Sequence, residues 1–206
     1  MPNHATRGRL HRAGVLAGLA AVACAILALQ AKGQSATVPQ YSPAGELLVP
    51  IGYETWVFVG SNLGLAYRQG LPVMTTREAT RADQRRFHNV YINKEAYAYF
   101  LANRAFPEPT ILAMEVFAAA DKEPSGVVAS GVYNGDRLGL EVAVKNSSRP
   151  DGRTTPWAYY DFTDPTDASK LQASAPANDD RICESCHRQH AGKDNVWVQF
   201  YPVLRN

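Results

Sequence analysis

Apolar and polar residues alternate along several short stretches in the middle of the chain, which is typical of strands with one buried face. This pattern predicts strands over residues 87–92, 110–118, 127–133, 138–144 and 157–162, and a last one over residues 196–201. Asn134-Gly135-Asp136 lies between the third and fourth of these. It predicts a hairpin turn, because Asn-Gly accepts the positive φ angles that such turns require.

One stretch has a helical composition instead. Residues 94–102 are good helix formers, with Asn93 at the N-cap and Pro107 after the end. Irregular segments are predicted at residues 37–50, 63–84 and 165–180, the last as a helix or an ordered loop. The fold class that follows is mainly β (α+β): an antiparallel β-sheet with one or two helices.

The N-terminus has the pattern of a signal peptide. Its first 12 residues hold three arginines and no acid, an apolar run follows over residues 13–29, and small and polar residues come next. A retained membrane anchor is the alternative, but a span needs roughly 20 apolar residues and this run is shorter and contains two glycines. We therefore expect a signal peptide over residues 1–33, one globular domain over 34–206, and no membrane contact after cleavage.

The charge balance and the cysteine content limit the possible functional classes of the protein. Of the 21 basic residues, four lie in the predicted signal peptide, so the mature chain has 17 basic residues against 19 acidic ones. This balance excludes the basic surface of a nucleic-acid-binding protein. Two cysteines in an exported chain would normally form a disulfide. Cys183 and Cys186 are the only two in the mature chain, and their spacing points elsewhere.

Cys183-Glu184-Ser185-Cys186-His187 is the C-x-x-C-H sequence by which c-type cytochromes attach haem. Residues three apart share one side of a helix, so both sulfurs can form thioethers to one haem while the adjacent histidine binds the iron. We therefore predict one covalently attached haem c on Cys183 and Cys186, with His187 as the proximal iron ligand. The predicted haem helix lies near the C-terminus.

Three other interpretations of the motif compete with haem attachment. A thioredoxin-like redox pair needs a βαβ pattern, which the sequence around residue 183 lacks. A zinc site that adds His190 would crowd four ligands into eight residues. A plain disulfide would leave His187 without a role.

The remaining histidines and methionines are candidates for a sixth iron ligand. His190 follows His187 by three residues and lies on the same side of the haem, so it cannot reach the opposite face. His88 lies where a strand begins, and a lone histidine at such a position is more often structural than metal-bound. Met74 and Met114 are therefore the candidates, and a methionine ligand would indicate an electron-transfer cytochrome. The sixth position can equally be vacant.

Two carboxylates interrupt apolar strands. Alternation places Glu141 on one face of its strand with Gly139 and Ala143, which would leave room for a flat group beside the sheet. Glu115 has a similar place in its own strand. Composition alone favours solvent-facing side chains for both, because glutamate is rarely buried. If Glu141 lines a haem pocket, desolvation would raise its pKa and suit it to proton transfer.

These features together resemble the cytochrome P460 family. Beyond the late C-x-x-C-H motif, the likeness lies in residues 45–50, 56–60 and 139–145 and in the tail over residues 200–205. The resemblance implies a periplasmic homodimer of antiparallel β subunits with a high-spin, five-coordinate haem. In the family's enzymes hydroxylamine is oxidised to nitric or nitrous oxide, and a lysine is cross-linked to the porphyrin edge. It also makes Glu141 the counterpart of a carboxylate in the family's distal pocket.

One position departs from the family pattern. The cross-linking lysine of these enzymes precedes a glutamate, and here Met114 precedes Glu115. A thioether has no amine for that bond, so the chain is similar to the lysine-free branch, cytochrome c′-β, which binds nitric oxide and carbon monoxide.

The expected function is thus binding of nitric oxide or a related small nitrogen species at an open iron site. The alternatives are hydroxylamine oxidation, with Glu141 as proton acceptor and a partner cytochrome taking the electrons, and simple electron transfer.

Overall fold

The computed structural model describes residues 37–67 and 85–205. Its strands are β1 (Leu47–Leu48), β2 (Val57–Leu63), β3 (Arg86–Ile92), β4 (Thr110–Lys122), β5 (Gly131–Lys145), β6 (Trp157–Asp161) and β7 (Ser174–Ala175). Its helices are α1 (Lys94–Asn103) and α2 (Glu184–His190), and its 3₁₀ turns are Tyr53–Thr55, Val198–Phe200 and Pro202–Leu204. The predicted signal peptide and Met74 lie outside the described residues. Within them, no helix is both long and apolar enough to cross a membrane.

A five-stranded sheet in the order β2-β3-β4-β5-β6 forms the centre of the fold, and every neighbouring pair in it is antiparallel. β1 and β7 form a separate two-stranded sheet. The predicted class, mainly β with an antiparallel sheet and few helices, is confirmed.

The five-stranded sheet is buried on both faces. What we term the helical face carries Ile92, Leu112 and Tyr159, and it packs against α1 and the C-terminal segment. The opposite face packs against the chain that precedes β2, through the residues Leu47, Tyr53, Ile111, Ala113, Val142 and Tyr160. The alternation predicted for residues 138–144 is therefore present, although both of its faces meet protein.

Helix α1 begins after Asn93, as predicted, but the Asn93 side chain does not cap it. Its Oδ1 instead accepts a hydrogen bond from the backbone N–H of Ile111 at 2.8 Å. Asn93 is fully buried, so this bond joins the start of α1 to β4 and satisfies a buried amide.

The predicted hairpin turn at Asn134-Gly135-Asp136 is wrong. These residues lie inside β5, and the β4–β5 turn falls over residues 123–130, where Val127 is fully exposed. The register shifts once on each side of Phe117, so Gly135 marks an irregularity within a long pair of strands and not the end of the pair. A Cβ on Gly135 would lie 3.1 Å from the Cβ of Ala120. The glycine is therefore needed for close strand approach.

The strand predicted over residues 196–201 is also wrong. This segment contains a 3₁₀ turn, Val198–Phe200, held by backbone bonds from Phe200 N–H to Trp197 O and from Tyr201 N–H to Val198 O. Trp197 and Phe200, three residues apart, stack with ring centroids 5.8 Å apart. Residues three apart coincide in a 3₁₀ helix, so aromatic stacking favours this turn over an extended strand.

Candidate haem-binding site

The C-x-x-C-H motif lies on α2, which packs near the helical face of the sheet. Cys183 stands at the N-cap in helical conformation, Cys186 lies within the helix, and His187 follows it. Cys183 packs against the core of the helical face, and Cys186 is buried. No disulfide joins them, so the disulfide interpretation is not realised. The two sulfurs therefore lie one helical turn apart on the same helix.

Polar contacts fix both ends of this short helix. At its start, the backbone O of Asp180 accepts the N–H of Ser185 at 2.8 Å, and the Asp180 carboxylate accepts a bond from Arg153 at 3.0 Å. At its end, the Gln199 amide accepts the N–H of Gly192 at 2.8 Å and donates to the backbone O of His190 at 3.2 Å. A seven-residue helix is marginal alone, so these contacts hold the motif in place.

His187 is oriented through its Nδ1 atom, which donates to the backbone O of Asn195 at 2.8 Å. The Tyr159 ring lies against the imidazole, with centroids 4.4 Å apart. Burial lowers the pKa of His187, which favours the neutral ring. With the proton on Nδ1, the lone pair of Nε2 is free to accept, and Trp197 Nε1–H donates to it at 3.2 Å.

This arrangement has the chemistry that a proximal haem ligand requires. A metal-binding histidine normally donates its second N–H to a carbonyl or carboxylate, which fixes the tautomer and raises the basicity of the other nitrogen. Two cysteine thiols one helical turn apart, not joined by a disulfide, complete the donor set. The residues present therefore fit a c-type haem, and Trp197 would give up its bond to His187 Nε2 when iron takes that lone pair.

Asn195 belongs to a tight turn from Lys193 to Val196, closed by backbone hydrogen bonds in both directions. Its two central residues, Asp194 and Asn195, have φ values of 45° and 61°. Positive φ at both central positions is the pattern of a type I′ turn, which aspartate and asparagine tolerate better than most residues. No sequence motif identifies Asn195 or Trp197 as part of the site; the Asp194-Asn195 pair, typical of such turns, is the one signal in the sequence.

Met114 and Glu141 lie opposite each other across β4 and β5. Their row continues to Val90 on one side and Asp161 on the other. Both side chains are half-buried, and Met114 packs against the core of the helical face, as Cys183 does. The face predicted for Glu141 is thus the one against which the haem motif packs, and Met114 stands beside it.

Glu115 is on the opposite face, and the expectation that it points to solvent is wrong. It is 9% exposed, and its Oε1 accepts a hydrogen bond from the Tyr53 hydroxyl at 2.8 Å. Burial and the charge of Glu115 raise the pKa of Tyr53. The tyrosine therefore stays protonated and remains a donor to the carboxylate. Glu115 can be buried because Tyr53, earlier in the sequence, donates a hydrogen bond to its carboxylate.

The two other histidines of the described chain occupy different surroundings. His190 is exposed at the end of α2. His88 alternates with Val90 and so shares the helical face, where burial, with a smaller contribution from the Arg86 charge, lowers its pKa to about 4. His88 is therefore neutral near neutral pH.

The zinc and thioredoxin interpretations are not supported. Across residues 37–67 and 85–205, no three His, Cys, Asp or Glu side chains are placed to hold a metal ion between them, so Cys183, Cys186, His187 and His190 do not form a zinc site. The sheet beside the motif is antiparallel and contains no βαβ unit in its five strands.

Fold and site together define a class: a β-rich cytochrome in which a C-x-x-C-H helix packs beside an antiparallel sheet. The sequence profile described as Cytochrome P460 matches residues 50–198, most of the chain. The chain therefore belongs to the cytochrome P460 family, and as a member it is a haem-binding cytochrome. A search of curated proteins finds no match.

Proposed function

We propose that this chain is an exported, periplasmic cytochrome with one haem c, whose open distal iron position binds nitric oxide or a related small nitrogen species. The observation that carries the proposal is the orientation of His187. Its Nδ1–H is bound to Asn195 O at 2.8 Å, which leaves Nε2 as the single well-prepared ligand nitrogen of the motif.

Cys183 and Cys186 would hold the haem through thioethers, and His187 would bind its iron. A haem held there would supply the iron that binds the small ligand. The protein's own contribution is to fix the histidine tautomer, to bury the ring against Tyr159, and to exclude water with the core of the helical face.

Met114 favours gas binding over hydroxylamine oxidation. It occupies the place of the family's cross-linking lysine, and its thioether has no amine with which to modify the porphyrin. Its neighbours Val90 and Glu141 place it in the middle of the sheet face, the position that the family resemblance gives to the haem edge. This position also argues against Met114 as the sixth iron ligand of an electron-transfer cytochrome.

Glu141 supports a second candidate, an enzyme that oxidises hydroxylamine. Its carboxyl group is half-buried on the face that packs near the motif and lies directly across from Met114. In this position it could accept a proton from a bound substrate, while a partner cytochrome takes the electrons.

A homodimer is also part of the proposal. The end of the β4–β5 hairpin exposes apolar side chains, namely Val127, Val128, Val132 and Tyr133. Exposed apolar patches often mark protein interfaces, so a second copy is a suitable partner for this surface. Sedimentation of the haem-loaded protein measures the oligomeric state directly.

The test is the optical spectrum of the purified, haem-loaded protein in both redox states, before and after nitric oxide and hydroxylamine. The proposal expects an ordinary high-spin c-type spectrum, a shift with nitric oxide, and no hydroxylamine turnover. The red-shifted ferrous Soret band after which the family is named, together with turnover, would support the enzyme instead. A six-coordinate low-spin spectrum would support electron transfer.

Variants separate these outcomes further. The double variant Cys183→Ala/Cys186→Ala should lose covalent haem, measured as haem released by acid extraction, whereas each single variant keeps one thioether. Glu141→Gln should leave nitric oxide binding intact and abolish any turnover. Met114→Leu keeps the volume of the side chain and removes its sulfur, so an unchanged spectrum would exclude Met114 as an iron ligand.

A further inference from the structure

We propose that Asp194 is a positioning residue for the proximal histidine: it anchors the turn that presents the Asn195 carbonyl to His187, and so sets the electron donation of the imidazole. This inference rests on the proposed role of His187 as the iron ligand. It adds a tuning device to that site, built from groups outside the C-x-x-C-H motif.

Both carboxylate oxygens of Asp194 are bound to the main body of the protein. Oδ1 accepts the indole N–H of Trp157 at 3.0 Å, and Oδ2 pairs with Lys145 Nζ at 2.8 Å. Trp157 is completely buried, and Lys145 lies at the end of β5 with its side chain mostly buried. Asp194 is thus held by two rigid strands, β5 and β6.

Lys145 is itself held in place. Its ammonium group also donates to the backbone O of Phe106 at 2.8 Å. Phe106 is buried in the core of the helical face and stacks near Phe100, with ring centroids 4.7 Å apart. The position of Asp194 is therefore fixed by the core and not by flexible surface groups.

The turn transmits this position to His187 within one residue. Asp194 and Asn195 both adopt positive φ, a conformation that non-glycine residues rarely hold unless their surroundings impose it. The two contacts of Asp194 hold it here, together with a bond from the Asn195 amide to Glu184 Oε1 at 3.3 Å. The next carbonyl, that of Asn195, then points at His187 Nδ1 at 2.8 Å. Without the anchor the turn could relax and lengthen this hydrogen bond.

The consequence is a change in the electron donation of His187. A strong bond at Nδ1 raises the basicity of Nε2 and favours ferric over ferrous iron. Loosening the turn should therefore raise the reduction potential. A tenfold loss in the preference for ferric iron corresponds to a rise of about 59 mV for a one-electron couple.

The experiment measures the reduction potential and the iron–histidine stretching frequency of the haem-loaded protein. Asp194→Ala should raise the potential and lower the stretching frequency. Asp194→Asn keeps an acceptor for Trp157 and loses the charge that pairs with Lys145, so its shifts should be smaller. Asp121→Ala breaks an exposed ion pair of the same kind, with Arg85, and should change neither quantity.

Lys145→Gln separates the anchor from a simple charge effect. Removing the positive charge of Lys145 would by Coulomb's law stabilise ferric iron and lower the potential. Weakening the anchor should raise it, in the same direction as Asp194→Ala. A lowered potential in Lys145→Gln, or an unchanged stretching frequency in both variants, would overturn the proposal.

Two further experimental outcomes also test the proposal. If Asp194→Ala does not fold, Asp194→Asn and Lys145→Gln give the decision, and unchanged potentials in both would refute the anchor. If His187→Ala has the spectrum of the parent protein, the failure lies in the proposed iron ligand and not in Asp194.

Discussion

The buried pair Tyr53 and Glu115 offers a test of the fold on the sheet face away from the haem motif. The two side chains are 3% and 9% exposed, and their oxygens lie 2.8 Å apart. The replacement Tyr53→Phe keeps the ring in the core and removes only the hydroxyl. It removes the Tyr53 donor from the buried Glu115 carboxylate, which Tyr91 also contacts through its hydroxyl.

The expected cost follows from desolvation. A buried group deprived of its hydrogen-bond partner costs about 1–3 kcal/mol, and more when it is charged. We therefore expect Tyr53→Phe to lower the free energy of unfolding by about 2 kcal/mol. In a domain of this size that corresponds to a fall in Tm of roughly 4–8 °C. The further replacement Glu115→Leu removes the stranded carboxylate, so the double variant should recover part of the loss.

Urea denaturation followed by circular dichroism measures both variants and their coupling. Tyr99→Phe is the matched control, because Tyr99 is 46% exposed on α1 and should cost less than about 0.5 kcal/mol. If Tyr53→Phe were as stable as that control, or if the double variant lost the sum of both single effects, the carboxylate would not depend on Tyr53.

Three other variants test strand packing and the pH dependence of stability. Gly135→Val should destabilise the protein by about 1–3 kcal/mol, since a Cβ there meets Ala120 at 3.1 Å, whereas Gly131→Val in the same strand meets nothing and should be neutral in thermal melts. Burial raises the pKa of Tyr201 to about 12, so the unfolded chain loses its proton first as pH rises above about 10. Tyr201 should therefore contribute up to roughly 1.4 kcal/mol per pH unit to a fall in stability there, and Tyr201→Phe should lose this contribution in urea titrations, while the other buried tyrosines keep theirs. The pKa of His88 is lowered from 6.5 to about 4, so the unfolded chain binds a proton first as pH falls through this window. His88→Gln should flatten the resulting acid loss, and an unchanged acid limb would contradict it.

The strands and the first helix were accessible from sequence because their signals are local. Alternation over residues 110–118 and 138–144 identified β4 and β5, and the composition after Asn93 identified α1. A turn was predicted at residues 134–136, inside β5, because Asn-Gly satisfies hairpin geometry and also fits an irregular strand. The pairing of Ala119 with Asn134, a contact between residues distant in sequence, distinguishes the two.

Whether a charged side chain is buried was harder to predict than which face of its strand it lies on. Alternation grouped Glu141 with Gly139 and Ala143 on one face of its strand, and the structure shows that Glu115 lies on the opposite face of the sheet. It could not show that Tyr53, 62 residues earlier, would cover Glu115 and supply a hydrogen bond. Whether a glutamate faces solvent or a partner depends on the second layer of the fold, which strand periodicity does not contain.

In the haem site, too, some residues could be predicted from local sequence and others depend on contacts between distant residues. The C-x-x-C-H motif identifies Cys183, Cys186 and His187 in the sequence, because covalent haem attachment requires a fixed spacing within one helix. The groups that orient His187 carry no such spacing: the Asn195 carbonyl is a backbone atom, available from any residue. Its position is decided by Asp194 and by the distant Lys145 on β5. The chain can thus keep an unaltered attachment motif while changes at Lys145 or Asp194 alter the proximal bond, so members that share the motif need not share a reduction potential.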